Sequence, residues 1–145
     1  MINKFGVHIK VKDIEKSYHF YKQFNIKPVF TYGRSYWLEK VLEDYPNLAH
    51  ADEKYEGITF EVGNSLLEIA NGHIAVKPEI FKQDITSSKV SAMLDVNSIE
   101  EIVDICSKNS FEIAKEPTDY YWGTREVVVK DPDGFILVFR AALPK

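Results

Sequence analysis

The sequence predicts an α+β fold built from two copies of one strand–helix–strand–strand–strand (βαβββ) module. Three observations carry this expectation. Period-two and helical-period apolar patterns follow one another twice, in the same order. Matching features keep a nearly constant offset: Val11 and Val96 lie 85 positions apart, Asn25 and Asn109 lie 84 apart. The chain has 145 residues, 45% of them hydrophobic, enough to bury a core as one domain over 1–145.

The first module, about 1–71, opens with "VHIKVKD". Val7, Ile9 and Val11 face one way; His8, Lys10 and Lys12 face the other. Asp13 can cap the following helix, in which Ile14, Tyr18, Tyr21 and Phe24 fall at helical spacing. Asn25 tolerates left-handed backbone and suits a helix stop. "PVFTY" starts a second strand. "GITFEVG" and "SLLEIAN" read as a hairpin, with "NS" after Gly63 as its turn.

The second module, about 89–145, repeats the pattern. "VSAMLDV" is a strand, and Ser98 with Glu101 makes a capping box. Ile99, Ile102, Val103 and Cys106 form one apolar helix face. Asn109 stands as the stop, and "FEIAKEP" is the next strand. "TREVVVK" and "FILVFRA" flank the turn "DPDG", where Pro132 suits the first corner and Gly134 supplies positive φ. Residues 72–88 are expected to link the modules. An insertion at 33–56 carries "SYWLEKVLED", a short helix ended by Pro46. It is either a lid, a dimer surface or a cover for the sheet.

Net charge is −4 with both signs mixed, and no basic block points to nucleic acid or an anionic membrane. The start "MINKFGVHIK" has no apolar core of a signal peptide. Cys106 is the only cysteine, so no internal disulfide forms. A cytoplasmic location is expected.

Two stretches, "VKDIEKSYHFYKQF" and "YWGTREVVVKDPDGFILVF", resemble the vicinal oxygen chelate superfamily, which includes glyoxalase I, extradiol dioxygenases, and fosfomycin- and bleomycin-resistance proteins. The second stretch is most similar to the bleomycin-resistance-like branch. The resemblance implies curled mixed sheets around a shared cleft, with helices outside, and a homodimer. It also implies four metal-ligand places, at the first and last strand of each module. Counting from Asp13, Val96 and Gly134 puts Gly6, Glu68, Ser91 and Val138 there. Only Glu68 can bind a metal, so neither metal nor other cofactor is expected. His8, two residues beyond Gly6 on the same strand face, could approach Glu68.

A cleft without metal can still bind a small organic molecule. Tyr120, Tyr121, Trp122 and, in the insertion, Trp37 are candidate aromatic walls. His8, Lys10, Glu68 and Arg125 are candidate polar contacts, and with Asp95 they give a cleft of both signs. Arg125 could hold a ligand anion, or pair with Asp131 or Asp133 instead. Cys106 reads as core. The expected function is metal-independent binding of an aromatic or zwitterionic compound. The alternative is a metal-dependent lyase, isomerase or dioxygenase using His8 and Glu68.

Overall fold

A computed structural model describes residues 1–145, and it is an α+β fold with two mixed sheets. The chain divides into two compact units, Met1–Gln83 and Asp84–Lys145.

In the first unit, β1 (Phe5–Lys10), α1 (Ile14–Lys22), β2 (Lys27–Gly33), α2 (Ser35–Asp44), β3 (His50–Asp52), β4 (Gly57–Val62) and β5 (Ser65–Ala70) follow in order, and α3 (Pro78–Phe81) closes the unit. The sheet order is β1-β5-β4-β2-β3. β1 runs parallel to β5 and β2 parallel to β3, while the remaining pairs are antiparallel. Asp13 caps α1 as expected, accepting a hydrogen bond from the Lys16 amide at 3.1 Å. The hairpin loop is Gly63–Asn64 rather than Asn64–Ser65, because Ser65 already pairs with Val62.

The insertion is the main departure from a plain βαβββ module. Its helix α2 forms as the periodicity predicts, but a three-residue strand, β3, follows it and extends the sheet edge. α2 is docked rather than poised above a cleft. Trp37, Leu38 and Val41 are buried. The Trp37 indole meets the Tyr18 ring edge-on at 5.4 Å, and its N–H donates to the Thr31 hydroxyl at 3.2 Å. Tyr18 donates to Asp44 at 2.6 Å, and Lys40 pairs with Glu15 at 3.4 Å. Helices α1 and α2 thus cover one face of the sheet, over Ile9, Ile58, Phe60, Leu67 and Ile69.

The second unit contains β6 (Ser91–Asp95), α4 (Ile99–Asn109), β7 (Ile113–Asp119), β8 (Thr124–Lys130) and β9 (Ile136–Ala142), with sheet order β6-β9-β8-β7. Ser98 caps α4 through the Glu101 amide at 3.3 Å, while its hydroxyl contacts the Glu100 carboxylate rather than that of Glu101. The left-handed residue after α4 is Ser110 (φ 56), not Asn109, which is still helical. Asn25 has the same φ of 56. The offset from Asn25 to Ser110 is therefore 85, equal to that from Val11 to Val96, and the repeat keeps one offset from the first strand to the helix stop. At the "DPDG" turn, Gly134 has φ 94, and the Asp131 carboxylate accepts from the amides of Asp133 and Phe135.

Candidate functional site

Strand alternation leaves the other face of the first sheet with polar and aromatic side chains. One cross-strand row reads His8–Glu68–Thr59–Phe30, and the next reads Lys10–Ala70–Gly57–Tyr32. His8 is the residue directly opposite Glu68 in the parallel β1–β5 ladder; Gly6 lies opposite Leu66. Gly6, seven residues before Asp13, therefore lies two residues beyond the position that faces the acid.

Tyr32 bends across this second row. Gly57 and Ala70 have little or no side chain, so the phenol can lie flat over β4. A Cβ on Gly57 would stand 2.4 Å from the Tyr32 Cζ and hydroxyl, so the ring needs glycine there. The hydroxyl reaches Glu68 and donates to its Oε2 at 2.5 Å. Burial first, then this bond to an acceptor, raises the Tyr32 phenol and keeps it protonated.

His8 stands on the other side of the carboxylate, with Nε2 3.8 Å from Glu68 Oε2. That separation is too long for a hydrogen bond. Nε2 is enclosed and has no hydrogen-bond partner. Burial pushes the imidazole below its ordinary value; Glu68 opposes this, while Lys10 and His73 add to it. The site thus holds a neutral imidazole, a carboxylate and a protonated phenol side by side, with Lys10 next along β1. Tyr32 was not foreseen. The only signal was its place two residues after Phe30 on the open face, and its glycine partner is 25 positions away.

The remaining candidates lie elsewhere. Trp37, expected at a ligand, is a core residue only 1% exposed, because α2 packs onto the sheet. Tyr120, Tyr121 and Trp122 occupy the β7–β8 connection. Tyr120 and Trp122 stack at 4.4 Å with 5° between their planes. The indole N–H donates to Glu126 at 3.0 Å, yet Trp122 remains 53% exposed and Tyr121 96%. Arg125 pairs with Asp119 (2.7 Å) and Glu100 (2.7 Å), not with Asp131 or Asp133. Asp131 is engaged by its own turn, whereas Asp119 faces Arg125 directly across the β7–β8 ladder. Those two carboxylates raise the guanidinium further and occupy its donors.

The sequence model of the Glyoxalase/Bleomycin resistance protein/Dioxygenase superfamily matches residues 3–139. The chain belongs to this superfamily. No curated protein matches the sequence. Among solved structures, a superfamily enzyme from Burkholderia phytofirmans PsJN is similar with a TM-score of 0.65 at 17% identity, covering 95% of this chain and 97% of that one. A superfamily protein from Nocardioides gives 0.64 at 16%, covering 99% and 85%. A point mutant of the fosfomycin resistance protein FosX from Listeria monocytogenes, solved with Mn(II) and 1S,2S-dihydroxypropylphosphonic acid, gives 0.64 at 13%, covering 98% and 92%. At these identities the likeness is one of fold.

A superfamily metal centre can be tested against the residues present. A catalytic divalent ion wants three or more nitrogen and oxygen donors converging on it. The first unit supplies His8 and Glu68, with one Glu68 oxygen already bonded to Tyr32. The 85-residue repeat maps His8 onto Met93, and Met93 pairs with Val138. That second pair offers a thioether and an alkyl group where the first offers an imidazole and a carboxylate. No three His, Cys, Asp or Glu side chains come together as a ligand set. This donor set does not fit a divalent metal of the superfamily type.

Proposed function

We propose that this superfamily member binds a small organic molecule without a metal, on the open sheet face of its first unit, through His8, Glu68 and Tyr32. One observation carries the reading: His8 Nε2 is enclosed without a partner, beside a carboxylate that Tyr32 holds in place. A buried polar atom left unpaired costs about 1–3 kcal/mol, and such atoms call for a reason. Nε2 is closed off in the free protein, so a ligand hydroxyl or ammonium would reach it as the His8 ring turns outward, bonding both Nε2 and Glu68 and offsetting that cost. Phe30, 6.2 Å from Tyr32 between ring centroids, gives an apolar contact on the same face. Lys10 adds a cation for the acidic end of a zwitterion. In this reading the Tyr120–Trp122 stack of the second unit is a separate aromatic surface able to hold an aromatic ligand, and the protein works as a cytoplasmic homodimer without nucleic-acid or membrane partners. No helix is long and apolar enough to cross a membrane.

A compound panel in thermal-shift format, followed by titration of a hit into parent, His8→Gln and Glu68→Gln proteins, tests this. Losing a charge-assisted hydrogen bond of about 1.5–3 kcal/mol predicts at least about tenfold weaker binding in Glu68→Gln. Unchanged affinity in both variants overturns the assignment. A second reading keeps His8 and Glu68, 3.8 Å apart, as ligands of a metal-dependent lyase, isomerase or dioxygenase, although they supply only two of the three donors such a site uses. Stoichiometric metal in dialysed protein, lost in His8→Gln, would establish that instead.

A further inference from the structure

The β7–β8 connection presents three consecutive aromatic side chains on a fixed turn. The Tyr120 amide donates to the Thr124 carbonyl at 2.8 Å, and the Gly123 amide to the Tyr120 carbonyl at 3.0 Å. Gly123 has φ 96, and its carbonyl accepts from the Leu143 amide at 2.9 Å, which ties the turn to the residues after β9. Tyr120 stacks on the Trp122 indole, while Tyr121 meets that indole nearly at right angles, 76° with 5.0 Å between centroids. Tyr121 and Trp122 are both exposed, so their rings make a corner open to solvent. A carboxylate stands beside it: Glu126 Oε2 accepts from the indole N–H at 3.0 Å and from the Thr124 hydroxyl at 2.6 Å. Neither of these partners is a cation. Arg140, opposite Glu126 in the β8–β9 ladder, bonds Asp95 at 2.9 Å instead, and Arg125 bonds Asp119 and Glu100.

We propose that the Tyr121–Trp122 corner binds a small organic cation of the quaternary ammonium class. The face of an aromatic ring carries negative potential, and methylated ammonium groups seat against two or more such faces. A primary ammonium is strongly hydrated and loses more than an open corner returns. The Tyr120 end of the stack already meets a cation, with Lys115 Nζ 5.4 Å from the ring centroid; the Trp122 end is the open one. The hydrogen bond from the indole N–H to a carboxylate polarises the ring and strengthens its negative face. Glu126 adds the attraction of a full negative charge. The inference rests on the reading of this tip as a ligand surface and names the ligand's chemistry there. It is independent of the His8–Glu68–Tyr32 row.

Choline titrated into the full chain, followed by NMR, tests the proposal. The control is dimethylbutanol, which has the same shape with carbon in place of the charged nitrogen. Choline should give saturable shifts of the Trp122 indole and Tyr121 ring signals, with the buried Trp37 indole unmoved; dimethylbutanol should give none. Tyr121→Ala, a change at an exposed side chain, should weaken choline about 2–5-fold, the equivalent of one exposed cation–π contact. Glu126→Gln keeps an acceptor for the indole N–H, removes the charge, and should weaken choline by a similar factor. Glu68→Gln should leave choline binding unchanged. Benzyl alcohol separates the proposal from the reading it rests on. If it shifts the Trp122 and Tyr121 signals and choline does not, the tip holds an aromatic ring and the cation proposal alone is overturned; if neither does, both fail. Equal binding of dimethylbutanol, unchanged choline binding in either Tyr121→Ala or Glu126→Gln, or loss in Glu68→Gln also overturns the proposal.

Discussion

The Tyr32 ring lies against the α-carbon of Gly57, in the space a side chain would fill, and this contact sends its hydroxyl to Glu68. Gly57 has no positive φ, so it is required for space and not for backbone freedom. Two substitutions separate the parts. Tyr32→Phe keeps the ring and removes the hydrogen bond to a charged acceptor, and should cost about 1–2 kcal/mol of stability. Gly57→Ala forces the ring away, breaking the bond and straining the packing, and should cost at least as much, about 1–3 kcal/mol. Denaturant unfolding of both proteins checks this. A neutral Gly57→Ala would mean that the ring rests elsewhere.

His8 predicts a pH dependence with a definite sign. Its folded-state value is depressed below 6.5, chiefly by burial. Above about pH 6.5 the imidazole is neutral in both folded and unfolded chains. As pH falls below that, the unfolded chain takes up a proton that the folded chain resists, so stability falls until the folded value is passed. The parent should therefore lose more stability than His8→Gln between about pH 7.5 and pH 5. Parallel unfolding curves at several pH values give the difference. Equal losses would show that His8 titrates as if exposed.

The insertion helix should behave as core. Trp37 is fully packed between Tyr18 and Thr31, and the Thr31 hydroxyl in turn donates to the Gly57 carbonyl at 2.7 Å. Trp37→Ala should cost about 3–5 kcal/mol. In native-state hydrogen exchange the central α2 amides should exchange with the core strands, not ahead of them. Early exchange confined to α2 would restore the lid reading.

How much of this was legible in the sequence depended on distance along the chain. Local periodicity and caps located α1, α2, α4 and the eight module strands, because those signals lie within a few residues, but not the short β3 and α3. The repeat was visible too, although only the structure showed that Ser110, not Asn109, takes the left-handed position and restores a constant offset. The site was half legible: His8 and Glu68 alternate onto one face, but their direct opposition is fixed by the β1–β5 register, which no local pattern states. Trp37 was misassigned because an aromatic residue in an insertion reads the same whether it faces a ligand or a sheet. Arg125 found partners in Asp119 and Glu100, brought near by the β7–β8 pairing and by α4, and the nearer-looking acids of the "DPDG" turn were engaged locally.

The aromatic tip gives a further expectation. Burying one face of the Trp122 indole against a ligand removes roughly 60–100 Å² of apolar surface from water, on the order of 2 kcal/mol. Trp122→Ala should then weaken an aromatic ligand by about thirtyfold. Because Trp122 is 53% exposed, stability should change by about 1 kcal/mol or less. Titration and thermal melting must be read separately. Unchanged affinity would leave the tip outside the binding surface.

The most direct test of the account is the affinity of a panel hit measured by calorimetry on chelator-treated protein, before and after adding back zinc, manganese or iron. Metal-independent binding through His8, Glu68 and Tyr32 predicts the same affinity in every case. Binding that vanishes on chelation and returns with one divalent ion would contradict it.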